Sequence, residues 1–450
     1  MVFSPVFELT HISKGFCEVR LIRKLTAWRH SILAAWLTLS SSAAISQEQL
    51  VILTTFSSEP IAELMFEYKQ QNPKVDIKLI HRRTQSAIQL LNKSYIQDVD
   101  VVLSSSPFLM EELYKRNQLA KVAYGNEMPQ WLVPFVLPKR NKVVSVGYSG
   151  AGLVWNKDYL MANNLKAPTR FQDLARFDYF GHITMSTPSR SGTTQMMIES
   201  ILAKHGWDKG WAIILNVGAN LGTISSRSFG VADYVAKGQF GIGPTIDSYA
   251  LVLPKQFQYV EFAYDSDFTL MPTYIGILKK SGDNAATDRF IRLLLSQDVQ
   301  KSMVDTNFAK HSINDDSLFS NKNPALNLAK LMQREKLVNI IFDEAITKRL
   351  PELQDIWHSL AQLEQDQGAD VKKLTQLREL KQQLFTIPVS EQEIEQLGDS
   401  IVSRVEFDGQ SNGLEQAILA EFSYRFGLKF EANLDQVARE LRTFQAESPL

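Results

Sequence analysis

Between Val51 and Pro107 short apolar runs alternate with polar turns and helix-like stretches, and that alternation leaves few folds open. Val51-Ile52-Leu53 runs into Thr54-Thr55-Phe56-Ser57-Ser58-Glu59-Pro60 and then a helical pattern from Ile61 to Tyr68, with Pro60 suited to a first helical turn. Val75 to Ile80 alternates as a strand, followed by Arg82-Arg83-Thr84 and a helical pattern over Ala87 to Leu91. Asp100-Val101-Val102-Leu103 runs into Ser104-Ser105-Ser106-Pro107. Strand, polar turn and helix in repetition predict an α/β architecture built on a parallel sheet. The polar turns gather at the carboxyl ends of the strands, where such sheets bind ligands.

A second α/β region is expected from about Lys157 to Glu261, reached through extended crossing segments at Lys142 to Tyr148 and Gly152 to Asn156. Its most informative stretch follows the strand Ile183-Thr184-Met185. The loop from Thr187 is dense in hydroxyls, carries Arg190 and Gly192, and opens into a helix. Free backbone N–H groups, hydroxyls, an arginine and the positive end of a helix dipole are the parts of an anion site. Further strands are expected near Thr223-Ile224 and Phe240 to Gly243, and Thr273 to Leu278 returns the chain to the first region. Helices are expected from Asn284 to Leu295 and around Asp298 to Val304. From about Asn321 the chain turns rich in Leu, Gln, Glu and Lys. Leu353, Ile356, Leu360 and Leu363 fall at three- and four-residue steps, as Val371 to Leu384 nearly do. Amphipathic helices follow, in a hairpin or short coiled coil, with a last pair at Glu391 to Val405 and Leu414 to Phe426.

The formal net charge of −1 on 450 residues supplies no basic field for nucleic acid or an anionic membrane surface. Near the start, Arg20, Arg23, Lys24 and Arg29 precede the mostly apolar run Ile32 to Leu39, and Ala44-Ile45-Ser46 has the pattern of a small-x-small cleavage site. Residues 1–46 therefore read as a cleavable export signal, with periplasmic delivery and no direct membrane insertion after cleavage. The run is shorter than the roughly 20 residues that span a bilayer. The single cysteine, Cys17, lies ahead of that run, so the exported chain has no thiol for a disulfide, a metal or nucleophilic attack.

Several segments, in order, resemble the periplasmic solute-binding proteins of ABC importers: Thr54-Thr55-Phe56-Ser57, Arg82-Arg83-Thr84, Asp100 to Ser104, Gly152 to Asn156, Ser189 to Thr193 and Gly241-Ile242-Gly243. Within the family, the chain resembles the branch of ferric-ion and phosphonate or sugar-phosphate receptors, and most of all the regulatory components of phosphoglycerate transport systems. The resemblance implies an α/β, two-lobe, type II-like binding-protein fold in which ligand lies between hinged lobes. It also implies a partner that reads the closed form, either a membrane sensor kinase or an ABC permease. The expected domains are a first lobe over 47–147 and 270–320, a second over 148–269 with the hinge crossings, and a helical C-terminal region over 321–450.

The candidate ligand-binding residues sit on the polar turns. Thr55 and Ser57 precede one helix, and Ser105 ends another strand. Arg83 offers a planar fork for phosphate or carboxylate, and strand alternation sends only one of Arg82 and Arg83 into a cleft. Ser191, Gly192 and Thr193 form the strongest candidate, with Gly192 allowing close backbone approach. Arg227 is the expected cation of the second lobe, and Asp247 is read as meeting a ligand hydroxyl or holding an arginine. Ferric receptors of this branch use adjacent tyrosines where this chain has Thr245-Ile246-Asp247-Ser248-Tyr249, which speaks against iron. No phosphate loop, zinc-helix motif or nucleophile elbow occurs, and the seven histidines are scattered. No catalytic residue, metal or cofactor is therefore assigned. The ligand expected is a small phosphorylated or carboxylated metabolite. Two alternatives stay open: an adaptor acting through its helical tail without ligand, and an exported hydrolase.

Overall fold

The computed structural model describes residues 48–92, 98–122, 128–138, 141–318, 323–366, 370–408 and 412–447. The export signal read over 1–46, with Cys17, lies outside the described residues, as does Asn321, where the composition changes.

Chain order builds the first sheet from β1 (Gln49–Thr54), β2 (Asp76–His81), β3 (Val101–Ser104), β4 (Val143–Ser149) and the late strand β10 (Met271–Ile277), in the spatial order β2-β1-β3-β10-β4. The second comprises β5 (Ala151–Asn156), β6 (Ile183–Ser186), β7 (Leu221–Ser225), β8 (Ile242–Ile246) and β9 (Val260–Tyr264), ordered β7-β6-β8-β5-β9. The purely parallel expectation is corrected here. β1, β2 and β3 are parallel, but β10 runs antiparallel to both β3 and β4. In the second sheet β6 is parallel to β7 and β8, whereas β5 is antiparallel to β8 and β9. The antiparallel strands are those beside the crossings at Gly150 and 265–270, where the chain leaves one sheet for the other.

The early helices are α1 (Ser58–Gln71), α2 (Thr84–Asn92) and α3 (Pro107–Lys115), followed by α4 (Lys157–Ala162), α5 (Gly192–His205), α6 (Trp207–Ala219), α7 (Ser228–Ala236), the single turn α8 (Asp247–Ala250), α9 (Ala285–Leu295) and α10 (Gln297–Ser302). Helices cover both faces of the first sheet, so its inner strands β1 and β3 are buried on both faces, while the edge strand β2 carries Asp76, Lys78 and His81 and stays partly exposed. Along β1, Leu50 and Ile52 join one core with Leu103, Val146, Ile275 and Phe290. Val51 and Leu53 join the other, with Val102, Leu109 and Tyr274.

The C-terminal extension is helical: α11 (Leu328–Phe342), a π-helical turn at Asp343–Thr347, α12 (Leu350–Asp366), α13 (Val371–Leu384), α14 (Glu391–Asp408) and α15 (Asn412–Glu447). Helix α11 falls within the helical region expected over 321–450, although the sequence pattern did not mark it out as a separate helix. Helix α15 runs far beyond the expected end at Phe426. The following Gly427 does not stop the helix. It lets the helix pack closely, since a Cβ there would lie 3.2 Å from Glu344 Oε2, and its carbonyl accepts from Arg349 Nη2 at 3.1 Å. The extension is no free coiled coil. Leu337, Ile341, Leu353, Trp357, Leu360 and Phe430 belong to the same buried core as Leu153, Ile183, Met185, Trp211 and Ile242 of the second lobe. Among the described residues no helix is long and apolar enough to cross a membrane.

Candidate functional site

Six strand ends converge on one small cavity. The first sheet brings Thr55 and Phe56 after β1, His81, Arg83 and Thr84 at β2, and Ser105 and Ser106 after β3. The second sheet brings Arg190 to Thr193 after β6, Arg227 to Phe229 after β7, and Tyr249 after β8. The cavity volume is about 40 Å³, room for roughly three waters. The walls touch. A Cβ on Gly192 would lie 3.0 Å from Ser106 Cβ and 3.3 Å from Thr84 Oγ1, so the glycine is what permits this approach of the second lobe to the first. The lobes meet here, and the space between them is smaller than an organic metabolite.

The chemistry of the lining is one-sided. Arg83, Arg190 and Arg227 line the cavity, and among the described residues no aspartate or glutamate does. Four helices begin there: α2 at Thr84, α3 with Ser106 as its cap, α5 with Ser191 as its cap, and α7 after Arg227. Their N-terminal N–H groups add partial positive charge on the side of the arginines. Ser106 Oγ accepts from Leu109 N at 3.3 Å and Ser191 Oγ from Thr194 N at 3.1 Å. A hydroxyl used as a cap accepts, so its own proton remains free to donate to an anion. Thr55 Oγ1 pairs with Ser104 Oγ at 2.8 Å and Ser105 Oγ with Thr273 Oγ1 at 3.2 Å, which holds both on the first-lobe wall.

His81 is set as a neutral ring. Its Nδ1 meets the Phe56 carbonyl, which only accepts, so Nδ1 carries the hydrogen. Its Nε2 lies 2.8 Å from Arg227 Nη1, which only donates, so Nε2 presents its lone pair. Burial depresses the pKa of His81, the nearby Arg227, Arg82 and Arg83 depress it further, and the Phe56 contact opposes them. Arg227 also lies over the Phe229 ring, 5.4 Å from its centroid. Burial pushes the Tyr249 phenol up to about 12, keeping it a donor, while Ser228 and Arg227 pull the other way.

Of the residues predicted from sequence, Thr55, Arg83, Ser105, Ser191, Gly192, Thr193 and Arg227 all line this cavity. Arg82 is exposed and donates to the His81 carbonyl at 2.7 Å, so of the two arginines only Arg83 lines the cavity. Ser57 caps α1 by position, makes no capping bond and does not line the cavity. Asp247 is placed elsewhere. It is fully buried where the lobes join, its Oδ2 accepting from Gly150 N at 2.7 Å and Tyr264 Oη at 3.3 Å, with His311 Nε2 at 3.2 Å. Beside it Lys310 donates to Ser149 Oγ at 2.8 Å and Ser248 Oγ at 3.0 Å, and burial lowers its pKa to about 8. Asp247 thus braces the crossing at Gly150 and holds no arginine. Arg190 and Ser106 also line the cavity, the one read from the sequence as part of the hydroxyl-rich anion loop and the other as a neighbour of Ser105 on the same serine turn; His81, Thr84, Ser228 and Tyr249 were not assigned as ligand contacts, although each abuts a strand end that was. Among the described residues no group of three or more His, Cys, Asp or Glu side chains is placed to hold a metal ion.

Residues 97–334 match the family model of the bacterial extracellular solute-binding proteins. The chain is 35% identical, over 358 residues, to the phosphoglycerate transport regulatory protein PgtC of Salmonella typhimurium, covering 78% of this chain and 88% of that one. Among solved structures, the periplasmic binding protein AfuA from Actinobacillus pleuropneumoniae, with fructose-6-phosphate bound, superposes with a TM-score of 0.57 at 17% identity, over 67% of this chain and 99% of that one. The ferric binding protein from Campylobacter jejuni gives 0.52 at 16% identity, over 66% and 98%. These two likenesses show the two-lobe binding-protein fold.

Proposed function

The chain belongs to the bacterial extracellular solute-binding proteins, and from that premise we propose that it is a periplasmic receptor for a phosphoglycerate or a similarly small phosphate monoester. The observation that carries the reading is the cavity wall, with its three arginines, its hydroxyls and four helix N-termini, and no carboxylate among the described residues to oppose an anion. Arg83 on one lobe and Arg227 on the other grip the ligand from both sides, so binding and closure are one event. Thr55, Ser105, Ser191, Gly192 and Thr193 supply hydroxyl and backbone donors. The name of the Salmonella relative supports a phosphoglycerate and a regulatory task. The proposed domains are 47–147 with 270–320, 148–269, and the helical region 321–450. The export signal 1–46 is removed, and a membrane sensor kinase reads the closed form, with an ABC permease as the other candidate partner. No bond is made or broken in the cleft.

The test is a thermal-shift screen followed by calorimetry against 2- and 3-phosphoglycerate, phosphoenolpyruvate, sugar phosphates, phosphonates, dicarboxylates and ferric ion. A dose-dependent rise in Tm with the short phosphate monoesters is expected, because a ligand that binds only the folded state stabilises it by mass action. A rise with ferric ion alone, or with none of them, sinks the reading.

A further inference from the structure

Two consecutive residues of α11 hold helices from opposite lobes. Arg334, almost fully buried, donates from Nε to Glu199 Oε2 of α5 at 3.1 Å, and its Nη1 meets Glu391 Oε1 of α14 at 2.6 Å. Glu335, its neighbour, accepts from Gln85 Nε2 of α2 at 3.1 Å. Helices α2 and α5 are the two whose first residues, Thr84 and Gly192, face each other across the cleft. Gln85 lies in the first turn of α2, and Glu199 lies about 10 Å along α5 from its start. The apolar side of α11 spans the same gap. Leu328 and Met332, one turn apart, pack against the second-lobe core and against the first-lobe core around Leu109 and Met110. On its remaining side α11 is fastened to the extension by Lys330 with Glu391 at 2.8 Å and Glu395 at 2.6 Å, and by Lys336 with Glu415.

From this geometry we infer that Arg334 and Glu335 are positioning residues of the anion cleft, setting through α5 and α2 the angle at which the lobes close. The inference rests on the receptor reading and adds its regulation. α11 shares its core with the second lobe, so it travels with that lobe. Its bond to Gln85 and its packing on Leu109 are made only when the first lobe swings in. Closure therefore docks α11 and the helices fastened to it, and opening releases them. By linkage the coupling is reciprocal: whatever holds the helical extension in its docked position tightens the cleft, and an anion in the cleft orders the extension.

The experiment uses the exported chain from Gln47, which has no cysteine of its own, with thiols introduced at two exposed helical positions, Gln70→Cys on the first lobe and Met161→Cys on the second, carrying spin labels for distance measurement. Without added anion, Gln85→Leu and Glu335→Leu should each shift the inter-lobe distances towards longer values. Glu335→Gln, which keeps an acceptor for Gln85, should restore the parental distribution. With 3-phosphoglycerate as the probe, the two Leu variants should bind about tenfold more weakly. Addition of the probe should slow amide exchange across α11 in the parent and not in Gln85→Leu. Unchanged distances in both Leu variants overturn the inference. The distance arm needs no ligand, so it stands even if 3-phosphoglycerate fails to bind, an outcome that counts against the receptor reading alone.

Discussion

His81, on the last residue of β2, accepts a hydrogen bond from the guanidinium of Arg227 at the head of α7, 2.8 Å away across the cleft. One lone pair thus joins the two lobes beside the arginines and helix N-termini of the cavity. The Phe56 carbonyl fixes the tautomer that makes this possible.

A pH dependence follows, and its sign is opposite to that of a simple cationic site. Burial and three arginines hold the His81 pKa below its ordinary value of 6.5. The closed protein thus favours the neutral ring. That stabilisation is fully present above about 6.5 and is lost as pH falls through the depressed value, when Nε2 gains a proton and no longer accepts from Arg227. Inter-lobe distances should lengthen from pH 7.5 to 5.5 in the parent, and not in His81→Gln, which offers an acceptor that does not titrate. Closure that tightens on acidification would show His81 acting as a fourth cation.

The arginines should dominate affinity without supporting the fold. Charge-assisted contacts are worth about 1.5–3 kcal/mol each. Arg83→Ala or Arg227→Ala should weaken 3-phosphoglycerate binding roughly 10–100-fold, and the pair on the order of 1,000-fold, by calorimetry. Both side chains lie at the cavity rather than in a core, so the Tm of the double variant without ligand should move little. Unchanged affinity in the double variant would remove the site assignment.

Gly192 tests closure by volume alone. An added Cβ meets Ser106 Cβ at 3.0 Å and Ser106 Oγ at 3.1 Å, both on the opposite lobe. Gly192→Ala should weaken the same ligand about tenfold with little loss of Tm, because the clash exists only when the lobes meet. Ser106→Gly in the same chain should recover part of the loss. Equal affinity for parent and Gly192→Ala would mean that the ligand is held with the lobes apart.

The parts of this site that the sequence disclosed are those governed by local rules. Hydroxyl turns after apolar runs placed Thr55, Ser105 and Ser191, and the period of two implied that only one of Arg82 and Arg83 faces the cleft without saying that it is Arg83. His81 was hidden by a boundary: the strand pattern ends at Ile80, yet β2 runs one residue further. Asp247 was misplaced because only the folding together of Gly150, Tyr264 and His311 makes a buried site for it. The antiparallel course of β10 depends on pairing with residues more than a hundred positions away, which no local pattern records. Helix α11 was not marked out as a separate helix because it is buried on several sides at once, with Arg334 and Asn339 inside beside Leu331, Leu337 and Ile341, so it shows no clean apolar stripe.

The shared core makes a last prediction about the helical extension. Trp357 on α12 is almost fully buried, packs edge-on against Phe385 at 5.3 Å and Phe177 at 5.6 Å, and donates from Nε1 to Asn220 Oδ1 at 2.7 Å. Asn220 in turn donates from Nδ2 to the carbonyls of Leu174 at 2.8 Å and Arg176 at 2.9 Å in the second lobe. Trp357→Ala would open a cavity costing about 3–5 kcal/mol and strip a buried acceptor of its partner for about 1–3 kcal/mol more. That is a large share of the roughly 5–15 kcal/mol that stabilises a domain. Because α12 and the second lobe bury one another's apolar faces, they should unfold together. Calorimetry of Trp357→Ala should show one transition for both at a lower Tm, and Trp357→Phe, which keeps most of the packing, should lie between it and the parent. Separate melting of the extension, with the second-lobe fluorescence of Trp207 and Trp211 left at the parental Tm, would show that the extension is an independent module and that α11 has no rigid base from which to follow the lobes.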